Sequence, residues 1–201
     1  PVVMLTFKDV KFDTWEESME AIRLVVKDEY KRHPELLTST VLDADDKNYI
    51  DRMEKGALSG VELQRSLLNL THMLSVHHGS KVVILIDEYD TPIQQGYTRG
   101  FYKEVISFMR NFLSGGLKDN TDLAFGVLTG IMRVSKENLF SGLNNPMVNT
   151  VLDNKYSGYF GFTEDEVREM ASYCGKSVAM GEIRFWYDGY HFGNTEIYNA
   201  W

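Results

Sequence analysis

Apolar residues fall along this chain in two patterns, uninterrupted runs and stripes at helical spacing, and the two alternate. The runs cover residues 2–7, 82–86 and 123–129. An apolar run without polar alternation predicts a strand covered on both faces, as in a parallel sheet flanked by helices. Between the runs the spacing changes. Trp15, Met19, Ile22, Val25 or Val26, and Tyr30 recur at helical spacing behind a Thr14/Glu17 capping box, and His33-Pro34 ends this helix. A more polar helix is predicted over residues 45–55, stopped by Gly56. Ser59 and Glu62 form a second capping box, which leads into Leu63, Leu67, Leu70 and Leu74 on one stripe that Gly79 terminates. Thr91-Pro92 reads as a turn. It precedes a helix over residues 101–113 with Phe101, Val105, Phe108 or Met109, and Phe112 inward, closed by Gly115 and Gly116. Thr163 and Glu166 cap a further helix that reaches Tyr173. Strands alternating with helices in this way predict a three-layer α/β fold.

The second run carries candidate chemistry at its end. Residues 81–90 read Lys-Val-Val-Ile-Leu-Ile-Asp-Glu-Tyr-Asp, a Walker B pattern. Ligands of parallel sheets gather at the carboxyl ends of the strands, where Asp87 and Glu88 emerge. Successive strand residues point to opposite sides, so the two acids are suited to different roles. Asp87 is suited to hold Mg²⁺, usually through a water, and Glu88 to orient and deprotonate a water that attacks a γ-phosphate. The same residues also read as a buried strand running into a solvated acidic turn, and the pattern alone leaves both open. A phosphate cradle requires Gly-x-x-x-x-Gly-Lys-Ser/Thr after a strand, and these 201 residues contain none. The one Gly-Lys-Ser, Gly175 to Ser177, has Met170 where the first glycine belongs, and Gly175 reads as a helix C-cap.

Composition narrows the classes. With 43% apolar and 12% aromatic residues, 201 residues bury a full core as one domain with a small appendage. No apolar run approaches the length of a membrane span and no secretory leader is present, so no membrane partner is expected. Cys174 is the single cysteine. It forms no internal disulfide, so a reducing cytoplasm is the expected compartment. A formal charge of −8 disfavours nonspecific nucleic-acid binding. His72, His77 and His78 crowd together, but their spacing and the lack of a nearby cysteine do not suit zinc. The aromatic cluster of residues 186–190 lacks surrounding basic residues and reads as packing and turn chemistry.

Five segments in order carry a resemblance: Leu85-Ile86-Asp87-Glu88-Tyr89-Asp90-Thr91-Pro92, Leu128-Thr129-Gly130-Ile131-Met132-Arg133-Val134-Ser135, Phe140-Ser141-Gly142-Leu143-Asn144-Asn145, residues 159–167 and Trp186-Tyr187-Asp188-Gly189-Tyr190. Together they resemble the AAA-ATPase-like family of P-loop proteins, bacterial and archaeal, often found with a C-terminal nuclease-like domain of the PD-(D/E)xK type. The resemblance implies a P-loop NTPase-like parallel sheet that is truncated at the N-terminus here. Residues 1–160 would form an ATPase-like core lacking the P-loop strand, and residues 161–201 a helical, lid-proximal extension. The P-loop strand would lie beside the strand of residues 123–129, with a short strand near residues 148–152 on its far side. Its absence leaves an open edge, for which pairing in a homo-oligomer is the expected consequence.

The implied cofactors are ATP and Mg²⁺, with binding by this chain alone in doubt because the cradle is missing. Asp87 is then the Mg²⁺ residue and Glu88 the base. Thr129 is either a sensor for the γ-phosphate or the attacking water, or a strand-end hydroxyl satisfied by backbone. Arg133 either reaches phosphate or pairs with Asp87, Glu88 or Asp90. Nucleic acid would be met only through the nuclease-like domain. The alternative is a degenerate, non-hydrolysing scaffold or interaction module of a mobile-element or defence system.

Overall fold

The three apolar runs form one parallel sheet. In a computed structural model that describes residues 1–131, 146–175 and 179–199, β1 (Val2–Thr6), β2 (Val82–Asp87) and β3 (Leu123–Leu128) lie in the order β1-β2-β3. Register places Thr6 beside Asp87 and Leu85 beside Val127. The chain divides into two compact units, Pro1–Asn145 and Pro146–Trp201.

Among the described residues of the first unit six α-helices join the sheet: α1 (Trp15–Lys31), α2 (Ala44–Glu54), α3 (Gly60–Gln64), α4 (Ser66–His78), α5 (Thr91–Arg99) and α6 (Tyr102–Leu117). Thr14 caps α1 by accepting from the Glu17 N–H at 3.3 Å, and the Ser59/Glu62 capping box opens α3. Gly79 ends α4 in the left-handed conformation, at φ 61. Val3, Leu5, Ile84 and Ile86 are buried under the helices, and Phe7 meets Phe112 edge-on at 6.3 Å.

The α/β architecture with a parallel sheet is the one expected. The burial of the strands differs from expectation. Among the described residues one face of β1 and β2 is buried, whereas on the other Met4 is 49% exposed, and β3 is exposed or half-buried along its whole length, with Phe125 56% exposed. Apolar residues occupy both faces, so the runs carry no sign of which face is covered.

Three helix boundaries also differ. Thr91-Pro92 opens α5, with proline in the first turn, where its fixed φ suits a helix and its missing N–H is not needed. Gly115 and Gly116 lie inside α6 instead of closing it. A Cβ on Gly116 would come within 2.5 Å of the Leu67 side chain, so this glycine serves the close approach of α6 to α4. The single helix expected before Gly79 is broken at Arg65, whose N–H bonds back to the Glu62 carbonyl at 3.0 Å.

The outer edge of β1 is closed by a side chain. Met4 N–H, which points away from β2, donates to Glu29 Oε1 at 2.8 Å. Glu29 is buried, with Arg32 Nη1 at 2.9 Å and His33 Nε2 at 3.3 Å.

The second unit holds α7 (Glu164–Tyr173), α8 (Met180–Tyr187) and an antiparallel pair, β4 (Asp188–Phe192) and β5 (Thr195–Tyr198). The Thr163/Glu166 capping box is complete. Tyr198, buried at the end of β5, donates its hydroxyl to Glu164, and Arg184 and Arg168 each reach Glu164 Oε1 at 2.8 Å. The Tyr198 hydroxyl first, then Arg184, hold the Glu164 carboxyl below the usual carboxylate range. Residues 148–152 do not form the expected strand. Thr150 N–H and hydroxyl instead turn back onto Asp153 Oδ2, at 2.6 and 2.9 Å, a local bond that competes with strand pairing. The aromatic cluster does not pack as expected, because Trp186 at the end of α8 is 74% exposed.

Candidate functional site

β2 ends in the candidate acids. Because it lies between β1 and β3, the carboxyl end of β2 has a neighbouring strand end on either side, and both neighbours supply a threonine. Thr6 Oγ1, the register partner of Asp87, donates to Asp87 Oδ2 at 3.3 Å. Thr129 Oγ1, one residue past β3, donates to Asp87 Oδ1 at 2.5 Å. Each hydroxyl also accepts from a backbone N–H: Thr6 from Lys8 at 3.4 Å and Thr129 from Glu88 at 3.4 Å. Both protons are thereby directed to Asp87, which sits as a charge-assisted acceptor between two neutral donors. Each carboxylate oxygen keeps a second lone pair.

The chain turns sharply after Asp87. Glu88 has φ 50, the left-handed region that few residues without a glycine's freedom occupy. Its carbonyl accepts from the Thr91 N–H at 3.1 Å, and Oε2 accepts from the Thr91 hydroxyl at 3.0 Å, which fixes the carboxylate against the start of α5. Tyr89 N–H then bonds the Thr129 carbonyl at 3.1 Å, and Thr129 N–H bonds the Ile86 carbonyl at 2.9 Å. The acidic turn and the end of β3 are therefore laced together by backbone. Asp90 is fully buried and accepts from Gln94 Nε2 at 2.9 Å. A Cβ on Gly130 would lie 2.6 Å from Asp90 Oδ1 and 2.8 Å from the Tyr89 ring, so only glycine fits between this turn and the strand end.

The structure thus brings together Asp87, Glu88 and Thr129, and adds Thr6. Thr129 is not satisfied by backbone alone, since its proton goes to Asp87. Thr6 was not singled out from the sequence; a threonine near the end of an apolar run is common, and only the register with Asp87, 81 residues on, gives it meaning. Arg133 lies outside the described residues, as does Ser177 of the Gly-Lys-Ser. Gly175, at φ 68 after α7, has the backbone expected of a helix end. The three histidines share no ligand point: the His77 and His78 rings meet edge-on at 4.8 Å, but His72 bonds Asp122, His77 bonds Ser39 and His78 approaches Glu35.

Among the described residues no group of three or more His, Cys, Asp and Glu side chains is placed to hold a metal ion. A single carboxylate flanked by hydroxyls fits Mg²⁺, a hard cation that keeps several waters and takes one or two protein carboxylates with substrate phosphates. It does not fit a metal that needs a full protein cage. Among the described residues no helix is long and apolar enough to cross a membrane.

A family described as "Predicted AAA-ATPase" matches residues 1–140. An "Uncharacterized protein in vnfD 5'region" from Azotobacter chroococcum mcd 1 is 36% identical over 122 residues, which is 60% of this chain and 23% of that protein. The chain therefore spans less than a quarter of the length of this curated relative. No solved structure gives a match.

Proposed function

The chain belongs to the AAA-ATPase-like family, and on that premise we propose that it supplies the hydrolytic half of a Mg²⁺-dependent ATPase site, whose phosphate cradle lies elsewhere in the full-length protein. Asp87 holds the ion, Glu88 takes the proton of the attacking water, and Thr129 links the metal carboxylate to the end of β3. Mg²⁺, when bound with ATP, neutralises charge that develops on the phosphates. The observation that carries this reading is the placement of Asp87 at the carboxyl end of the middle strand, tethered through both oxygens by hydroxyls of the two adjoining strands. A merely solvated acidic turn has no need of such a tether.

Glu88 suits the role of base for a different reason. Its carboxylate is oriented by Thr91, and its backbone is held in a conformation that stores strain, a feature that clusters at functional sites. The test uses the full-length protein. Glu88→Gln keeps ATP binding near wild type and lowers turnover by roughly 10² to 10⁴, the contribution of a positioned general base. Wild-type turnover in Glu88→Gln would remove Glu88 from the mechanism.

A further inference from the structure

We infer that Thr6 is a positioning residue for the metal carboxylate, acting through Asp87 and touching neither ion nor substrate. The inference rests on the assignment of Asp87 to Mg²⁺ and extends it to a residue on the other side of β2 from Thr129.

The geometry is nearly symmetric about β2. On each side a threonine hydroxyl accepts one backbone N–H and donates its proton to one oxygen of Asp87. A carboxylate held by a single donor swings about its last torsion, which is broad and roughly two-fold. Two donors on opposite oxygens fix the plane of the group, and with it the direction of the remaining lone pairs. Thr6 is held to this task by the sheet itself. It is the register partner of Asp87, so both side chains stand on the same face, and the Phe7 N–H bonds the Asp87 carbonyl at 3.0 Å immediately beyond. The face they share is the one the described helices leave open, so the pair is not simply a buried polar contact inside the core. Partners that orient a ligating carboxylate are worth a substantial part of the metal affinity. The Thr6 bond at 3.3 Å is longer than the Thr129 bond at 2.5 Å, which ranks Thr6 as the weaker of the two tethers.

The experiment is a Mn²⁺ titration of the full-length protein, read by electron paramagnetic resonance in the presence of a non-hydrolysable ATP analogue, alongside the Mg²⁺ dependence of ATP turnover. Thr6→Val weakens Mn²⁺ about 10-fold and raises the Mg²⁺ concentration for half-maximal turnover by a similar factor, at the low end of the range for orienting partners. Thr6→Ser, which keeps the hydroxyl, restores both to within about twofold of wild type. Thr129→Val weakens Mn²⁺ more than Thr6→Val does. Thr6→Ala serves in the same role should Thr6→Val fail to fold, and a thermal melt of each variant separates loss of fold from loss of metal. Wild-type Mn²⁺ binding in a folded Thr6→Val or Thr6→Ala protein, with Asp87→Ala clearly weakened, overturns the role of Thr6 and leaves the Asp87 assignment intact. Unchanged Mn²⁺ binding in Asp87→Ala overturns the metal assignment and this inference with it.

Discussion

The two edges of the sheet are built in opposite ways. At β1 an outward-pointing backbone donor is taken up by the buried Glu29, itself held by Arg32 and His33. At β3, Phe125 and Val127 are exposed, and no side chain of the described residues accepts from its outer edge. Unpaired edges invite pairing, and proteins blunt them with inward-pointing charge where they are meant to stay single. Among the described residues the β1 edge carries such a charge and the β3 edge does not.

Breaking the closed edge has the largest expected effect on stability. Glu29→Leu leaves the Met4 N–H without its acceptor and removes the partner of two cations, and should lower unfolding free energy by about 3 kcal/mol in urea titrations. An unchanged midpoint would mean that the edge does not depend on this carboxylate.

The same edge should respond to pH through His33. The hydrogen bond to Glu29 raises the imidazole above its ordinary value of 6.5, against the opposing effect of burial, and Glu35 adds to the rise. Glu29 is shared with Arg32, and His78 approaches Glu35 from α4. A raised folded pKa means that the charged form stabilises the fold. Its contribution is complete below about pH 6.5 and is lost as pH climbs through the raised folded value. His33→Gln should cost about 1 kcal/mol at low pH and flatten this slope. An equal slope in wild type and variant would assign the pH dependence elsewhere.

At the open edge the expected effect on stability is smallest and the effect on association clearest. The 201-residue chain should form dimers or larger species by light scattering. Phe125→Lys, an exposed substitution, should return it toward monomer while shifting unfolding by no more than about 0.5 kcal/mol. Persistent dimers in Phe125→Lys would place the contact off this strand.

Much of this was legible in the sequence, for identifiable reasons. Asp87 and Glu88 stood out because an apolar run ends in two acids, although that pattern alone left a Walker B site and a solvated acidic turn both open. The capping boxes at Ser59 and Thr163 gave correct helix starts because they are local hydrogen-bond chemistry. The features that escaped depend on distant partners. Thr6 matters only through its register with Asp87. Gly116 looked like a stop signal and proved to be a contact surface for Leu67. Glu29 lies off the apolar stripe of α1, and its burial comes from the sheet edge it meets. The strand expected near Val148 had the right apolar residues, but Thr150 and Asp153 bind each other first.

The backbone of Glu88 sets folding preference and the chemistry proposed for its side chain at odds. At φ 50 a glycine would be more comfortable than any residue with a side chain, and a β-branched residue least. A search of variants for thermal robustness alone would therefore drift toward glycine at this position and discard the carboxylate. Stabilised versions of the protein, however well they melt, should keep position 88 out of the randomised set.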